Sequence, residues 1–473
     1  MIVKNKKITS RDEDFAQWYT DIVKQAHLAS YTSVKGCIIF EPYSYAIWEN
    51  MQHSLDTMFK RSGHTNVYMP MFIPESLLKK EGEHVEGFAP ETAMVTRGGQ
   101  SELDEILCVR PTSETLFCEY YSNVVQSYRD LPKLCNQWCN VVRWEKNTRP
   151  FLRTREFLWQ EGHTVHETAE EAEKETRRML NTYKKFFEDY LAIPVVVGKK
   201  TEKEKFAGAE YTLTVEALMY DGISLQSATS HYFGQKFSKP FDVKFVDRNN
   251  QLQYAYQTSW GTTTRMIGAV IMVHGDDNGL VLPPKIAPTQ AVIVTIKNTD
   301  EVRKASHEIK KSLRGVRIEI DDSDKSAGFK FAEHEMRGVP LRIEVGPRDL
   351  ENGSVVIARR DNGEKITCKV SEVAAKVRQL LKQVQTDMFN RAKERNDSKT
   401  YTVTTLEEAK DIIYNRPGFI KAMWCGDEAC ELKMKELRGM KSRCIPFKEE
   451  HIADNCIVCG RKAKHMVYWG IQY

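Results

Sequence analysis

No run in this chain approaches the roughly 18 consecutive apolar residues of a membrane-spanning helix, so none of the 473 residues is expected to cross a bilayer. The opening MIVKNKKITSRDEDF lacks the apolar segment of a secretory leader. Charge of one sign is not in excess: 69 Lys and Arg against 65 Asp and Glu leave a net +4. So weak an overall field implies no general nucleic-acid binder, and DNA is not an expected partner; any basic surface has to be local. The 11 cysteines are an odd number in a long chain without a leader. That argues against a disulfide framework and for a reducing, cytoplasmic compartment. No internal repeat is visible.

What is present is an ordinary composition, 41% apolar and 28% charged, at a length that suggests about three domains. Helical spacing over 12–27 groups Phe15, Trp18, Tyr19, Ile22 and Val23. Over 43–61 it groups Ile47, Met51, Leu55, Met58 and Phe59, with Gly63 as a stop. NVYMPMFI (66–73) reads as a strand at an edge or interface, because Pro70 cannot donate to a ladder. Helices are expected over 112–127 and 167–191, the second dense in i, i+4 charge pairs and so mostly solvated. Residues 192–286 alternate short β-like runs with turns. Three prolines in VLPPKIAPTQ (281–290) predict an extended linker. Beyond it AVIVTI, VRIEID, LRIEVG and VVIARR alternate with helices, and from 396 the chain is rich in Lys and Glu. The expected class is mixed α/β (α+β), in domains 1–284, 285–395 and 396–473.

Two places carry chemistry. Residues 141–163, VVRWEKNTRPFLRTREFLWQEGH, read as a strand, a charged loop and a second strand. Side chains two apart share a face, as Arg143 with Glu145, and Phe157 and Trp159 with Glu161 and His163. A guanidinium fork suits phosphate oxygens and an aromatic ring suits a purine. Spacing alone admits a salt-bridged surface hairpin equally well. The second place is Cys425-x4-Cys430 with Cys456-x2-Cys459. Four thiolates on two short loops fit a tetrahedral structural zinc, although the first spacing is wide. Four reduced cysteines without a metal remain the alternative, and Cys444 lies between the pairs as a competing ligand.

The stretch VVRWE…FLRTREFLWQEGH resembles motif 2 of the class II aminoacyl-tRNA synthetases, and closely that of prolyl-tRNA synthetases of the archaeal and eukaryotic type. The 43–61 helix with the strand to Pro70 resembles motif 1, the dimer-forming element, and SWGTTTRMIGAVI (259–271) resembles motif 3. RPTSET (110–115), KTEKEKFAG (200–208) and TSHYFGQ (229–235) resemble further prolyl signatures. The resemblance implies a class II antiparallel sheet core with helices, an α/β anticodon-binding domain, a small C-terminal zinc-binding α/β domain, and a homodimer. It implies ligation of L-proline to its tRNA through a prolyl-adenylate, with ATP and Mg2+ used and Zn2+ structural.

Matched residue by residue, Arg143 meets the α-phosphate and the substrate carboxylate, and Arg265 lies over the adenine near the γ-phosphate; these two are the expected catalytic groups. Phe157 stacks the other adenine face, Glu145, Arg153 and Thr154 line the nucleotide, and Gln226, Thr229 and Thr263 add ATP contacts. Thr112, Glu114, Trp159, His163 and His231, with Arg143, form the proline pocket, Glu114 facing the ammonium. GFKF (328–331) and RIEVGPRDL (342–350) resemble an anticodon-binding domain, in which Glu344 and Arg348 read unstacked bases. The metal ligands are Cys425, Cys430, Cys456 and Cys459. Ser227 and Ala228 stand where the family pattern has two glycines, which alters the backbone approach to substrate. Many bacterial-type prolyl enzymes insert a large editing domain between motifs 2 and 3; the 62 residues between His163 and Gln226 leave no room for one. The aromatic stretch YWGIQY (468–473) is expected to fold back, with Tyr473 near the site. The alternatives are another class II synthetase and a non-catalytic synthetase-like RNA-binding protein. The RPTSET and TSH signatures argue against the first, and Arg143, Glu145 and Arg265 against the second.

Overall fold

The computed structural model describes residues 8–84 and 91–473; residues 1–7, part of the opening read above for a leader, lie outside it. An eleven-stranded sheet dominates. Its order is Thr400–Thr402, Phe419–Trp424, His465–Gly470, Lys441–Pro446, Val195–Lys199, Tyr211–Leu218, Ser224–Gly234, Tyr256–Thr263, Glu156–His166, Lys133–Val142 and Thr65–Asn66. All neighbours are antiparallel except the pair at each end.

Period-two alternation gives this sheet two unlike faces. Leu213, Val215, Ala217 and Trp260 share a core with Met179, Leu180, Tyr183, Phe186 and Phe187 of the helix Ala169–Asp189. That helix, expected to be mostly solvated, buries eight of its 21 residues. Most of its charges occupy the outer side, Glu175 turns inward to His64 (2.8 Å), and the apolar stripe decides its packing. Gly162 makes the contact possible, since a Cβ there would lie 2.1 Å from the Trp260 ring. Phe15–Gln25 and Pro42–Arg61 join the same core through Trp18, Ile22, Met51 and Phe59. Asp14 caps the first, accepting from the Ala16 and Gln17 amides. Gly63, at φ +90°, follows the second as the spacing required.

Two local expectations fail. NVYMPMFI is not a strand: only Thr65–Asn66 and Phe72–Pro74 are extended pairs. Side chains take the intervening peptide groups instead. Buried Arg110 donates to the Met69 carbonyl and Gln137 accepts from the Met69 amide. The proline-rich 281–290 is not a free linker either. Val281, Leu282, Ile286 and Ala287 are buried, and Arg317 donates to the Ala287 and Pro284 carbonyls.

Beyond it a five-stranded sheet runs Ile318–Asp321, Ala291–Thr295, Leu341–Val345, Ser354–Arg359 and Lys365–Lys369, the first three parallel and the last two antiparallel additions. Helix Val373–Ser398 closes its core through Val377, Leu380, Val384 and Met388. The C-terminal strands then return to extend the main sheet, pairing Ile445 with Lys199 and Pro446 with Gly198. A Cβ on Gly198 would lie 2.3 Å from the Ile445 carbonyl oxygen, so glycine permits the junction. Behind it Glu216 is fully buried between Lys200 (2.8 Å) and Arg443 (2.7 Å), and Arg443 also reaches Gln472 (2.7 Å). Among the described residues no helix is long and apolar enough to cross a membrane.

Burial holds His166 down to about 4 and His274 down to about 3. Each titrates near 6.5 in the unfolded chain. The unfolded state therefore binds more protons below that pH, and stability falls as pH drops from 6.5 toward the folded values, by about 1.4 kcal/mol per pH unit for each group. His274 bonds the Leu191 carbonyl through Nε2 (2.9 Å). His274→Gln keeps a donor there, so its melting temperature is expected to decline less steeply than wild type between pH 6.5 and 4.5; parallel declines would refute the assignment.

Candidate active site

The polar face of the sheet floors a cavity of about 320 Å³. All fourteen residues expected at the amino acid and nucleotide line it: Thr112, Glu114, Arg143, Glu145, Arg153, Thr154, Phe157, Trp159, His163, Gln226, Thr229, His231, Thr263 and Arg265. The alternation explains the convergence. Phe157, Trp159, Glu161 and His163 are every second residue of Glu156–His166, as Thr229 and His231 are of Ser224–Gly234, and Ser259, Gly261 and Thr263 of Tyr256–Thr263. Ser227 is the extra residue of a β-bulge, since Val215 pairs with Ala228 and Glu216 with Gln226. Its hydroxyl donates to the Leu225 carbonyl (3.0 Å). The non-glycine pair is thus accommodated by local hydrogen bonding, and the bulge brings Gln226 to the cavity. Arg143 and Glu145 differ from expectation in position: the strand ends at Val142, and the two bracket a tight turn in which the Glu145 amide bonds the Arg143 carbonyl (2.7 Å).

At one end Glu114 accepts from the Thr112 hydroxyl (2.5 Å). Burial pushes its carboxyl up. Glu161, which the sequence reading left out of the site, anchors this end. One oxygen accepts from Ser113 and Gln137, and the other meets His163 Nε2 at 2.9 Å. His163 also stacks on Phe117, with ring centroids 4.1 Å apart. His231 is held between two hydroxyls, Thr212 at Nδ1 (2.9 Å) and Thr229 at Nε2 (3.0 Å). Burial holds it down to about 3, so its imidazole is neutral. Phe206 packs beside it at 4.7 Å. Phe206, Glu204 and Lys205 line the cavity from the KTEKEKFAG stretch, whose signature was visible although these side chains were not assigned a role.

Arg143 and Arg265 are half-buried cations lining the same cavity. Arg143 donates from Nε to the Pro111 carbonyl (3.0 Å), and its guanidinium lies 5.5 Å from both the Phe157 and Trp159 rings. Arg265 donates from Nε to the Leu152 carbonyl (2.9 Å). Burial, then the like charges of Arg153 and Arg143, lower it to about 10. These backbone bonds aim both side chains without neutralising them. The loop between the strands is braced: Arg149 and Arg153 exchange backbone hydrogen bonds, and Phe151 adopts φ +61° with its ring against Phe40. A left-handed non-glycine residue costs on the order of 1 kcal/mol, here offset by burial of the ring. YWGIQY folds back as expected. Ile471 and Tyr473 pair with Ser224, and the Tyr473 hydroxyl meets Asp221. Arg149 lies over the Tyr473 ring at 5.7 Å.

In the second domain Glu344 is buried and already bonded to Arg342 (2.9 Å) and Lys365 (3.0 Å), whereas Arg348 is exposed. The structure does not bring these two into the cavity. The four cysteines do converge: their sulfurs lie within 4.8 Å of one another, with Cys425 3.7 Å from both Cys430 and Cys459. Tetrahedral thiolates about 2.3 Å from a metal sit about 3.8 Å apart, so the spacing fits one ion. Cys444 lies outside the cluster, buried beside the Glu216 ion group. Arg461 donates to Cys459 and lowers that thiol to about 6, favouring the ligating thiolate.

Three sequence families match the chain: the tRNA synthetase class II core domain (G, H, P, S and T) over 95–274, the anticodon binding domain over 290–380, and the prolyl-tRNA synthetase C-terminal domain over 406–473. A proline–tRNA ligase of Clostridium novyi is 62% identical, with 98% of each chain covered. That of Lachnoclostridium phytofermentans is 60% identical over 99% of this chain and 98% of its own. A crystal structure of prolyl-tRNA synthetase from Cryptosporidium parvum complexed with halofuginone and AMPPNP superposes with a TM-score of 0.95 at 42% identity, covering 100% of this chain and 99% of that one. The curated relatives are bacterial, so the expected archaeal or eukaryotic type is not borne out; their coverage leaves no length for a large inserted domain.

The cysteine geometry makes a direct prediction. Elemental analysis of protein purified without chelator is expected to find one tightly bound metal ion per chain, and Cys459→Ser is expected to lose it and to lower the melting temperature. Metal-free wild-type protein with an unchanged melting temperature would exclude the site.

Proposed function

This chain belongs to the prolyl-tRNA synthetases and joins proline to tRNA using ATP; from that premise we propose how its own residues do so. The observation that carries the reading is one cavity lined by a carboxyl, Glu114, and by two incompletely neutralised arginines, Arg143 and Arg265. A proline zwitterion spans that polarity. Its secondary ammonium meets Glu114, which ionises as the cation arrives and offsets the burial that raises it. Its ring lies against Trp159, Phe206 and the neutral His231, with His163 fixed behind by Glu161. Its carboxylate meets Arg143.

ATP occupies the opposite end, with adenine between Phe157 and Arg265 and with Glu145, Arg153, Thr154, Gln226, Thr229 and Thr263 around it. The carboxylate oxygen attacks the α-phosphorus and pyrophosphate leaves; a terminal ribose hydroxyl of tRNA then attacks the prolyl carbonyl of the adenylate, forming the ester and releasing AMP. No protein nucleophile is needed: Arg143 stabilises charge developing on the α-phosphate, and alignment does the rest. Magnesium supplies further neutralisation on the phosphates when bound. Glu145, whose carboxylate has a 3.5 Å contact with Arg153, would be the acid available to help hold the ion.

The cysteine cluster is assigned to structural zinc, because four thiolates at this spacing suit that ion. We keep domains 1–284, 285–395 and 396–473 as the reading; the separate five-stranded sheet within 291–369 supports the middle one, although the bound at 395 falls inside the helix Val373–Ser398. Arg348, exposed beyond the Leu341–Val345 strand, is the better anticodon contact of the two expected, since Glu344 is engaged within the domain. The assembly is read as a cytoplasmic homodimer; exposed Tyr31, Ile39, Tyr68 and Phe72 near the motif-1-like helix support an interface there.

Arg143→Ala is expected to lower proline-dependent ATP–pyrophosphate exchange by about 10²–10³ without unfolding the protein; near-wild-type exchange would sink the assignment. The pocket is small, and a missing methylene discriminates by only about 1–3 kcal/mol. Alanine is therefore expected to be activated. The stretch between His166 and Ser224 builds only a helix and two core strands, with no separate hydrolytic domain. Ala-tRNA should therefore persist with the purified enzyme, and rapid deacylation by it alone would contradict this.

A further inference from the structure

Helix Glu428–Glu436 carries Cys430 of the cysteine cluster and, one residue on, Glu431. Glu431 is 4% exposed, and among the described residues no lysine, arginine or histidine is recorded in an ion pair with it. Its Oε1 accepts from the Thr201 hydroxyl (2.9 Å) and from the Ser442 hydroxyl. Thr201 stands at the head of the segment that ends at Phe206, over the amino-acid end of the cavity. The same segment is gripped twice more from the C-terminal domain, by Lys203 to Glu428 (3.1 Å) and by Glu204 to Lys441 (3.2 Å). At its far end the Phe206 amide donates to Thr212 Oγ1 (2.9 Å), the same hydroxyl that meets His231 Nδ1.

We infer that Glu431 is a positioning residue for the amino-acid subsite: the cysteine-cluster helix holds the 201–206 segment through Thr201, and so sets Phe206 and the Thr212–His231 pair against the bound amino acid. This rests on the proline subsite proposed above. The cluster orients the helix through Cys430, the carboxylates on the helix grip the segment, and the segment closes one wall of the pocket. The nucleotide end is untouched by this chain of contacts, since the Arg149–Arg153 loop and Arg265 are held by other elements.

Glu431→Ala is expected to raise the proline KM about tenfold, with the ATP KM changed by less than about twofold. Glu431→Gln keeps an acceptor oxygen and is expected to restore most of the proline KM. Hydrogen exchange of the 202–206 amides should accelerate in the alanine variant while its metal content stays at one per chain. If Glu431→Ala does not fold, Thr201→Val and the surface double variant Lys203→Met with Lys441→Met test the same grip. An unchanged proline KM and unchanged exchange in a folded variant overturns the proposal, as does an equal rise in both KM values. Glu114→Gln separates the two readings. If it leaves the proline KM unchanged, the subsite assignment fails, whereas exchange at 202–206 still decides whether Glu431 holds the segment.

Discussion

Buried Glu114 and Glu161 and half-buried Arg143 and Arg265 gather over one face of the eleven-stranded sheet, and charges drawn this far from bulk solvent need compensation from the protein or a ligand. The molecule divides them into two kinds. Glu161 is satisfied within the protein by Ser113, Gln137 and His163, and so it fixes geometry. Glu114, Arg143 and Arg265 are each tied at one point by Thr112, Pro111 or Leu152. Their remaining hydrogen-bonding capacity is left to the cavity they line.

That arrangement requires a rigid floor. The helix Ala169–Asp189 covers the opposite face with an apolar stripe, and Trp260 fits beneath Gly162, so the strands cannot slip by one residue without inverting the polar and apolar faces. The loop carrying Phe151, Arg149 and Arg153 is pinned from three sides: by Phe40, by the Tyr19 hydroxyl on the Pro150 carbonyl (2.7 Å), and by the Tyr473 ring. The C-terminal strands share the same sheet. Glu216, between Lys200 and Arg443, couples their position to the core through buried charge: removing one partner would leave another unpaired.

The domain that holds the cysteine cluster is therefore continuous with the catalytic floor. It reaches the site by two routes, Gln472 and Tyr473 toward the nucleotide loop, and Glu431 and Lys441 toward the amino-acid wall. Its own core, built on Ile412, Ile420, Trp424, Met434 and Val467, adjoins the strand junction with the main sheet.

Read in one dimension, the chain announced its longer helices, the strands of the second domain, the thiolate set and fourteen of the residues that line the cavity. These are local properties: hydrophobic period, spacing, and residue types that suit phosphate, purine or ammonium. Tertiary structure decided the rest. NVYMPMFI has strand composition, yet Arg110, remote in sequence, takes its peptide groups. The helix from Ala169 looks solvated by charge count, yet its stripe meets a sheet that exists only after distant strands pair. Spacing put Glu161 on the face of Phe157, Trp159 and His163 but gave it no role, because that role lies in partners at positions 113, 137 and 163. The bond from Glu431 to Thr201 spans 230 residues. Spacing reports which side chains share a face of one element, and only packing reports which faces meet.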